Sequence, residues 1–293
     1  MVVKEPYGVV LGIAPWNAPY ILGIRSVVVT KFLIEQPEIK KINFTGSTAV
    51  GRIIAETAGR NLKPVLMELG GKNNAIVRED ANLAHAAQQC CLGSFLHAGQ
   101  ICMSTERILV HDAVFEAFKV EFRKATSTIF GESTPAQPLA LKAGVTKVAH
   151  LAQDALSKGA NLVHGDAPTS DAPHSNRPFA LESVGQGMDI YQTESFGPCV
   201  SLISVSSDDE AVRIANDTEY GLSGAVFTGD LARGLSIARR IETGAVHING
   251  MTVHDEAGLP HGGAKNSGWG RFNADAGLNE FLRTKTITFR AVD

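Results

Sequence analysis

Two short motifs carry the residues best suited to covalent chemistry. Glu68 opens the run Glu-Leu-Gly-Gly-Lys, and Cys102 follows 34 residues later within Gly-Gln-Ile-Cys-Met-Ser. A thiolate can attack a carbonyl carbon to form a covalent adduct, and a separate carboxylate can then activate the water that releases the acyl group. This division of labour would suit oxidation of an aldehyde through a thioester.

The four cysteines do not have equal prospects as nucleophiles. A lone cysteine is more often a small buried hydrophobe, and this is the preferred interpretation for Cys90, Cys91 and Cys199. Cys102 differs because it lies between a Gly-Gln pair and a polar Ser-Thr-Glu-Arg stretch, as expected of a loop that enters a strand. Four unevenly spaced cysteines predict reduced thiols, and no Cys-x-x-Cys or His-Glu-x-x-His motif indicates a metal site.

Two polar residues each have a structural and a chemical interpretation. Glu68 follows an apolar run, and it would act as a base, as a cap, or as an ion-pair partner of Lys63 or Lys72. Asn17 follows Pro-Trp, where an ordinary Asx turn is expected, but its side-chain amide could also stabilise a developing oxyanion. The residues alone leave both alternatives open.

Short apolar runs alternate with amphipathic segments along the chain, and this alternation predicts an α/β fold. Strands are predicted at 7–14, 41–45, 64–69, 108–110, 200–205, 224–227 and 244–249. Helices are predicted at 47–60, 82–96, 112–126 and 208–216. The stretches 132–138 and 165–178 are rich in Pro, Ser, Asp and Ala, which predicts surface loops.

A glycine turn joins the predicted strand at 41–45 to the predicted helix that Ser47 or Thr48 would cap. Free N–H groups and the helix dipole in such a turn can receive a pyrophosphate. The sequence Gly-Ser-Thr-Ala-Val-Gly is not the Gly-x-Gly-x-x-Gly fingerprint, so the turn alone is weak support for a nucleotide site.

Composition narrows the class of protein. The 293 residues are 44% hydrophobic and 19% charged, which is ordinary for one large core or two domains. A formal charge of −3 gives no electrostatic case for nucleic acid or an anionic membrane as partner. No apolar run approaches the roughly 18 residues of a membrane span. We expect a cytoplasmic protein.

Six motifs occur in the order in which they are found in the aldehyde dehydrogenase superfamily, and the chain resembles that family over almost its whole length. The motifs are Ala-Pro-Trp-Asn at 14–17, Phe-Thr-Gly-Ser at 44–47, Glu-Leu-Gly-Gly-Lys at 68–72, Gly-Gln-Ile-Cys at 99–102, Glu-Ser-Phe-Gly-Pro at 194–198 and Gly-Gly-Ala-Lys-Asn-Ser-Gly at 262–268. The stretches 99–107 and 247–256 are most similar to salicylaldehyde, vanillin and benzaldehyde dehydrogenases, which implies an aromatic aldehyde as substrate.

The resemblance implies an aldehyde-dehydrogenase-like α/β fold. An incomplete Rossmann-type NAD(P)-binding domain is expected at 1–71 and an α/β catalytic domain at 72–268. The tail at 269–293 would carry an oligomerisation strand, so a homo-oligomer or an assembly with a full-length relative is expected.

The resemblance also assigns roles to residues. In the catalytic set, Cys102 is the nucleophile, Glu68 the base that activates water and Asn17 the oxyanion donor. The cofactor, NAD or NADP, would be contacted by Trp16, Gly46, Ser47, Gly51, Leu69, Gly70, Glu194 and Phe196. No metal is expected. A base at Glu68 favours release of the acid by hydrolysis over transfer to coenzyme A.

The chain also departs from the family pattern. An inner strand, with a lysine that contacts the adenine ribose, has no counterpart between Val29 and Thr30, and an early segment with a dimer-forming hairpin has none before Met1. His97 replaces the usual Asn, and His261 the usual Phe. These departures leave two alternatives open: an impaired truncated homologue that assembles through a strand at 285–290, or a residual thiol esterase.

Overall fold

The computed structural model describes residues 1–17, 27–169 and 175–292. These residues form two compact units. The first consists of Met1–Leu69 together with Asp255–Asp293, and the second of Gly70–His254. Each unit is described in its own terms.

The strands are β1 (Val2–Pro6), β2 (Val9–Ile13), β3 (Ile39–Thr45), β4 (Val65–Glu68), β5 (Asn73–Val77), β6 (Thr105–His111), β7 (Gln137–Pro138), β8 (Asn161–His164), β9 (Ser175–Asn176), β10 (Phe179–Glu182), β11 (Cys199–Val205), β12 (Tyr220–Gly221), β13 (Ser223–Phe227), β14 (Ala245–Ile248), β15 (Ala264–Lys265), β16 (Gly268–Trp269) and β17 (Leu282–Thr286). The described α-helices are α1 (Val27–Glu35), α2 (Thr48–Arg60), α3 (Leu83–Phe95), α4 (Phe115–Phe130), α5 (Lys142–Ser157), α6 (Asp189–Gln192), α7 (Asp208–Asn216), α8 (Leu231–Ala238) and α9 (Ala274–Glu280).

The first unit is built on a four-stranded sheet in the order β16-β4-β3-β2. Strands β2, β3 and β4 are parallel, and β16 is antiparallel to β4. Helix α2 begins at Thr48, and the side chain of Ser47, one of the two predicted caps, caps its first turn. The buried apolar cluster of this unit contains Ile34, Ile42, Phe44, Ile54, Ala58, Met67 and Leu69.

The C-terminal strand differs from the prediction. Strand β17 pairs in antiparallel register with β1 of the same unit, and the register ends at Val2↔Thr286. The predicted strand at 285–290 is therefore wrong in its bounds: the strand is Leu282–Thr286, and Ile287 adds two backbone hydrogen bonds with Met1 beyond it. The pairings of β16 with β4 and of β17 with β1 also place 255–293 with the first unit, whereas the sequence analysis drew the domain boundaries at 71 and 268.

The second unit is built on a seven-stranded sheet in the order β14-β13-β5-β6-β11-β10-β8. All neighbours described in this sheet are parallel except β8, which is antiparallel to β10. Two buried clusters contain residues from its strands, one with α5 and one with α3 and α4. The predicted α/β architecture is confirmed in both units.

Most predicted elements are present within a few residues of their expected bounds. Other elements were not predicted from the sequence, among them α5, α8, α9, β1, β5, β8 and β10. Helix α5 buries Val145, Val148, Ala149, Leu151, Ala152 and Ala155, a helical spacing that was available in the sequence. The predicted loops contain the two-residue ladder of β7 with β9.

The junction at Val29 and Thr30 lies inside α1, which continues through it without a break. Residues 18–26 lie outside the described part of the chain. Strand β2 pairs only with β3 among the described residues and lies at the edge of its sheet. Within the described ranges, no helix combines the length and the hydrophobicity that a membrane crossing requires.

Candidate active site

Cys102 differs from the other three cysteines in its exposure. Cys90, Cys91 and Cys199 are buried, which confirms the interpretation of these residues as small hydrophobes, whereas Cys102 is half-buried. Burial raises the pKa of Cys91 to about 11 and the pKa of Cys199 to about 12. These thiols stay protonated at neutral pH, so Cys102 is the cysteine best placed to react.

Cys102 lies on the connection between α3 and β6, as the sequence predicted for a loop entering a strand. Before it, His97, Ala98 and Gly99 have φ values of 53°, 55° and 69°, in the left-handed region. Histidine, like asparagine, is found in this region more often than most residues. The replacement of Asn by His97 is therefore compatible with the backbone.

Asn73 holds the Cys102 loop through its backbone. Its Nδ2 donates to the carbonyl oxygen of Cys102 at 2.8 Å and to that of Ser104 at 2.9 Å. Its Oδ1 accepts from the backbone N–H of Ser223 at 2.9 Å. The sequence analysis missed this residue, although a polar side chain directly after Glu-Leu-Gly-Gly-Lys was a signal.

Thr252 supports the same loop from another segment. Its buried hydroxyl donates to the carbonyl oxygen of Met103 at 2.7 Å and lies 2.8 Å from the hydroxyl of Thr105. Its own carbonyl accepts from Ser223 Oγ at 2.7 Å. The backbone from Cys102 to Ser104 is thus fixed by buried polar groups.

A buried ion pair positions the segment that contains Glu194 and Phe196. Lys72 Nζ contacts Glu106 Oε2 at 2.6 Å and the carbonyl oxygen of Thr193 at 2.8 Å. Glu106 Oε1 accepts from Ser195 N and Oγ at 2.9 and 2.7 Å. The sequence analysis also missed this pair; a charge at 106 just before an apolar run was its signal.

Glu194 lies against the glycine pair. Its Oε1 accepts from Gly71 N at 2.9 Å, and a Cβ added to Gly70 would lie 2.8 Å from its Oε2. Burial raises the pKa of Glu194 to about 7, and the charge of Glu106 adds to this, while the Gly71 hydrogen bond lowers it. The predicted cofactor residues Gly70 and Glu194 are thus neighbours in the second unit.

Glu68 is buried at the end of β4 in the first unit. Its Oε1 accepts no hydrogen bond from the described residues. Lys63, one alternative ion-pair partner, donates instead to the carbonyls of Ile34 and Gln36. A buried carboxylate oxygen without a protein donor is suited to bind a water molecule.

The other predicted residues of the first unit follow neighbouring strands. Trp16 and Asn17 form a turn after β2, and both are half-buried. Gly46 and Ser47 follow β3 at the start of α2, where a Cβ on Gly51 would lie 2.6 Å from a methyl group of Leu69. Because β2, β3 and β4 are parallel and adjacent, these turns and Glu68 share one edge of the sheet.

The predicted site residues are divided between the two units. Trp16, Asn17, Gly46, Ser47, Gly51, Glu68 and Leu69 belong to the first unit, and Gly70, Cys102, Glu194 and Phe196 to the second. In the part of the chain that the structure describes, no group of three or more His, Cys, Asp or Glu residues could hold a metal ion.

The first unit has a glycine turn after a parallel strand, and the second has a half-buried thiol on a braced loop. These features are typical of α/β enzymes that use a nucleotide cofactor. The sequence profile of the aldehyde dehydrogenase family matches residues 25–287. The chain therefore belongs to the aldehyde dehydrogenase family. This confirms the family resemblance and, with the structural matches below, the predicted fold class.

Two curated relatives act on aromatic aldehydes according to their names. A vanillin dehydrogenase from a Pseudomonas species is 36% identical over 99% of this chain and 71% of its own length. A salicylaldehyde dehydrogenase from Pseudomonas putida is 41% identical over 90% of this chain and 55% of its own length.

Solved structures agree with these matches. The crystal structure of a salicylaldehyde dehydrogenase from Pseudomonas putida G7, complexed with salicylaldehyde, has a TM-score of 0.92 and 35% identity, and the match covers 100% of this chain and 71% of that one. A betaine aldehyde dehydrogenase from Staphylococcus aureus with NAD+ has a TM-score of 0.87, 28% identity and coverages of 97% and 67%. An NADP-dependent glyceraldehyde-3-phosphate dehydrogenase from Bacillus halodurans with NADP has a TM-score of 0.88, 29% identity and coverages of 97% and 69%.

Proposed function

We propose that this chain oxidises an aromatic aldehyde to the carboxylic acid with NAD or NADP, through a thioester on Cys102. The observation that carries the proposal is that Cys102 is half-buried on a braced loop while the other three cysteines are buried. The names of the vanillin and salicylaldehyde dehydrogenases support the aromatic substrate. The comparisons give no support to the alternative of an assembly partner or a residual thiol esterase.

In the first half of the reaction, the Cys102 thiolate attacks the aldehyde carbon and the carbonyl electron pair moves to oxygen. The Asn17 amide and the Cys102 backbone N–H are the proposed donors to this oxyanion. The hydrogen bonds from Asn73 hold the carbonyl groups of Cys102 and Ser104, so the loop that carries the thiol is fixed before the substrate arrives.

The described residues fit a nicotinamide cofactor at two places. Gly46 and Ser47, at the start of α2, would receive the pyrophosphate, with Gly51 and Trp16 nearby in the same unit. Gly70 and Glu194 are neighbours in the second unit and, with Phe196 of that unit, would hold the nicotinamide ribose. Leu69, in the first unit, stays a predicted contact of the nicotinamide. A nicotinamide held by these residues would supply the acceptor for the hydride that leaves the Cys102 adduct when its carbonyl re-forms as the thioester.

In the second half, water hydrolyses the thioester. Glu68 is the proposed base, since its buried Oε1 has no donor among the described residues and is available to that water. Glu68 takes one proton as the water oxygen bonds to the acyl carbon. The Cys102–acyl bond then breaks, which releases the carboxylic acid and restores the thiolate.

The test is the formation of reduced cofactor from salicylaldehyde or benzaldehyde by the purified chain, with NAD and NADP compared side by side. Circular dichroism and a cooperative urea transition establish that the sample is folded. Aldehyde-dependent absorbance at 340 nm is the expected result. A folded chain that reduces neither cofactor with either aldehyde would contradict the proposal.

Asn73→Ala is expected to lower kcat/KM by about 100-fold while the protein stays folded, because the thiol loop loses its alignment. The substitution removes both donors to the loop and the acceptor for Ser223 N. Steady-state kinetics and the rate of Cys102 alkylation by iodoacetamide measure the effect.

Asn74→Ala is the matched control for Asn73→Ala. Asn74 is also buried, but it donates to the carbonyls of Lys72 and Ala215 at 3.2 and 3.0 Å and does not hold the Cys102 loop. Equal losses in the two variants would show that Asn73 supports the sheet in general and not the thiol in particular.

A cytoplasmic location stays part of the proposal, since four unevenly spaced cysteines do not form a disulfide framework. The expected homo-oligomer, or an assembly with a full-length relative, likewise stays a prediction of the family resemblance. Size-exclusion chromatography with light scattering would measure the oligomeric state.

A further inference from the structure

His261 and Glu68 face each other within the first unit. His261 Nε2 lies 3.8 Å from Glu68 Oε1, and the two side chains are 17% and 5% exposed. This oxygen is the one that accepts no hydrogen bond from the described residues. Among those residues His261 is the ionisable side chain within ion-pair distance of Glu68, and it is the more exposed member of the pair.

The fold holds His261 in place through its backbone. Strand β16 pairs with β4 so that Gly268 lies opposite Glu68. His261 and Phe272, which flank β16 in sequence, form an isolated antiparallel β-bridge. In it, His261 N donates to Phe272 O at 3.0 Å and Phe272 N donates to His261 O at 2.7 Å. The Phe272 ring packs against the imidazole with a centroid distance of 6.4 Å. The imidazole is thus fixed beside the carboxyl.

Three charged groups act on His261 in its unit: Glu68 from β4, Asp255 from the preceding segment and Arg271 from the segment after β16. Burial lowers the pKa of His261, and Arg271 lowers it further. The Glu68 and Asp255 carboxylates raise it by more, so the pKa of His261 is above the ordinary value for histidine.

A buried base needs an exit for its proton. Glu68 gains a proton from the hydrolytic water in each turnover and must lose it before the next. Direct release to solvent is hindered because its side chain is almost wholly buried. A separation of 3.8 Å is longer than a hydrogen bond, and one bridging water or a small side-chain rotation completes the path.

We infer that His261 is the proton acceptor for Glu68 in deacylation, passing the proton from the buried carboxyl to solvent. This inference rests on the proposed function, because it needs Glu68 to act as the base. In each cycle the O–H bond of the water breaks, Glu68 holds the proton briefly, and neutral His261 receives it. The proton then leaves to solvent and both groups return to their starting states.

The relay makes deacylation depend on pH. Only neutral His261 can accept a proton, and its pKa is raised, so deacylation increases as the pH rises through a value above the ordinary histidine pKa. Acylation of Cys102 precedes this step and does not use His261. The effect of His261 is therefore confined to the rate of thioester hydrolysis.

The test uses 4-nitrophenyl acetate with the whole chain, because the burst of nitrophenolate reports acylation and the later steady rate reports deacylation. His261→Phe keeps an aromatic ring that cannot accept a proton, and His261→Ala leaves room for added imidazole. His150→Gln is the matched control, since His150 is an exposed histidine on α5. All four proteins are measured from pH 5.5 to 9 in the same buffers, with and without imidazole.

The expected result is an equal burst in every variant, with the steady rate about tenfold lower at high pH in His261→Phe and His261→Ala. Added imidazole restores the rate of His261→Ala and leaves His261→Phe unchanged. His150→Gln matches the wild type. A wild-type rate and pH profile in both His261 variants, with the burst intact, would overturn the relay. If the wild type releases no more nitrophenolate than Cys102→Ala, the proposed function fails at acylation, and the relay fails with it.

Discussion

Cys102→Ala abolishes the formation of reduced cofactor from aromatic aldehydes, with an expected loss in kcat of at least about 1000-fold. The reason is chemical: alanine cannot form the bond to the aldehyde carbon, so no adduct exists from which a hydride can leave. Because the Cys102 side chain is half-buried, the change in the free energy of unfolding is expected to be small. Absorbance at 340 nm and urea unfolding together separate loss of chemistry from loss of fold.

Cys91→Ala is the matched control for the nucleophile. Cys91 is buried, and burial raises the pKa of its thiol to about 11, so it should contribute packing and no chemistry. We expect this variant to lose stability and to keep its turnover in the folded fraction. If Cys102→Ala retained measurable turnover that Cys91→Ala lost, the assignment of the nucleophile would be wrong.

Sequence patterns within single strands, turns and helices predicted much of the fold. The strand, glycine turn and helix from β3 to α2 followed from a short apolar run, a glycine and a capping serine, and the structure has Ser47 at the cap. The same reasoning placed α3 before the Cys102 loop and β6 after it. These features depend on residues that are neighbours in sequence, which is why spacing was sufficient.

Contacts between distant residues could not be predicted in this way. Asn73 reaches the carbonyl of Cys102 because β5 and β6 are adjacent in the sheet, and no periodicity encodes that pairing. Lys72 could have paired with several acids before the structure placed Glu106 beside it. In the same way, His261 meets Glu68 across 193 residues of sequence because β16 pairs with β4.

Helix α1 contains the junction after Val29, where the family pattern has a segment that this chain lacks. The family pattern places a further strand between Val29 and Thr30, and without that strand α1 continues through both residues. Helix formation depends on local backbone geometry and hydrogen bonds, and these do not depend on which segments a relative carries between the same two residues. The effect on cofactor binding is a separate question, which the comparison of NAD with NADP addresses.

Glu68→Gln is expected to separate the two halves of the reaction. Glutamine keeps the size of the side chain but cannot take a proton from water, so thioester hydrolysis should fall by about 1000-fold. Acylation and hydride transfer should continue once per active site. A stopped-flow trace at 340 nm should therefore show a burst of about one equivalent and then almost no turnover, and intact-protein mass spectrometry should find the acyl group on Cys102.

Glu56→Gln is the matched control for Glu68→Gln, because Glu56 is an exposed glutamate of the same unit whose described ion-pair partner is Arg60. It should turn over at the wild-type rate without accumulating acyl-enzyme. Two results would contradict the assignment of Glu68. Wild-type steady turnover in a folded Glu68→Gln variant would show that another group activates the water. A folded variant with no burst would place Glu68 in the activation of Cys102, before the thioester forms.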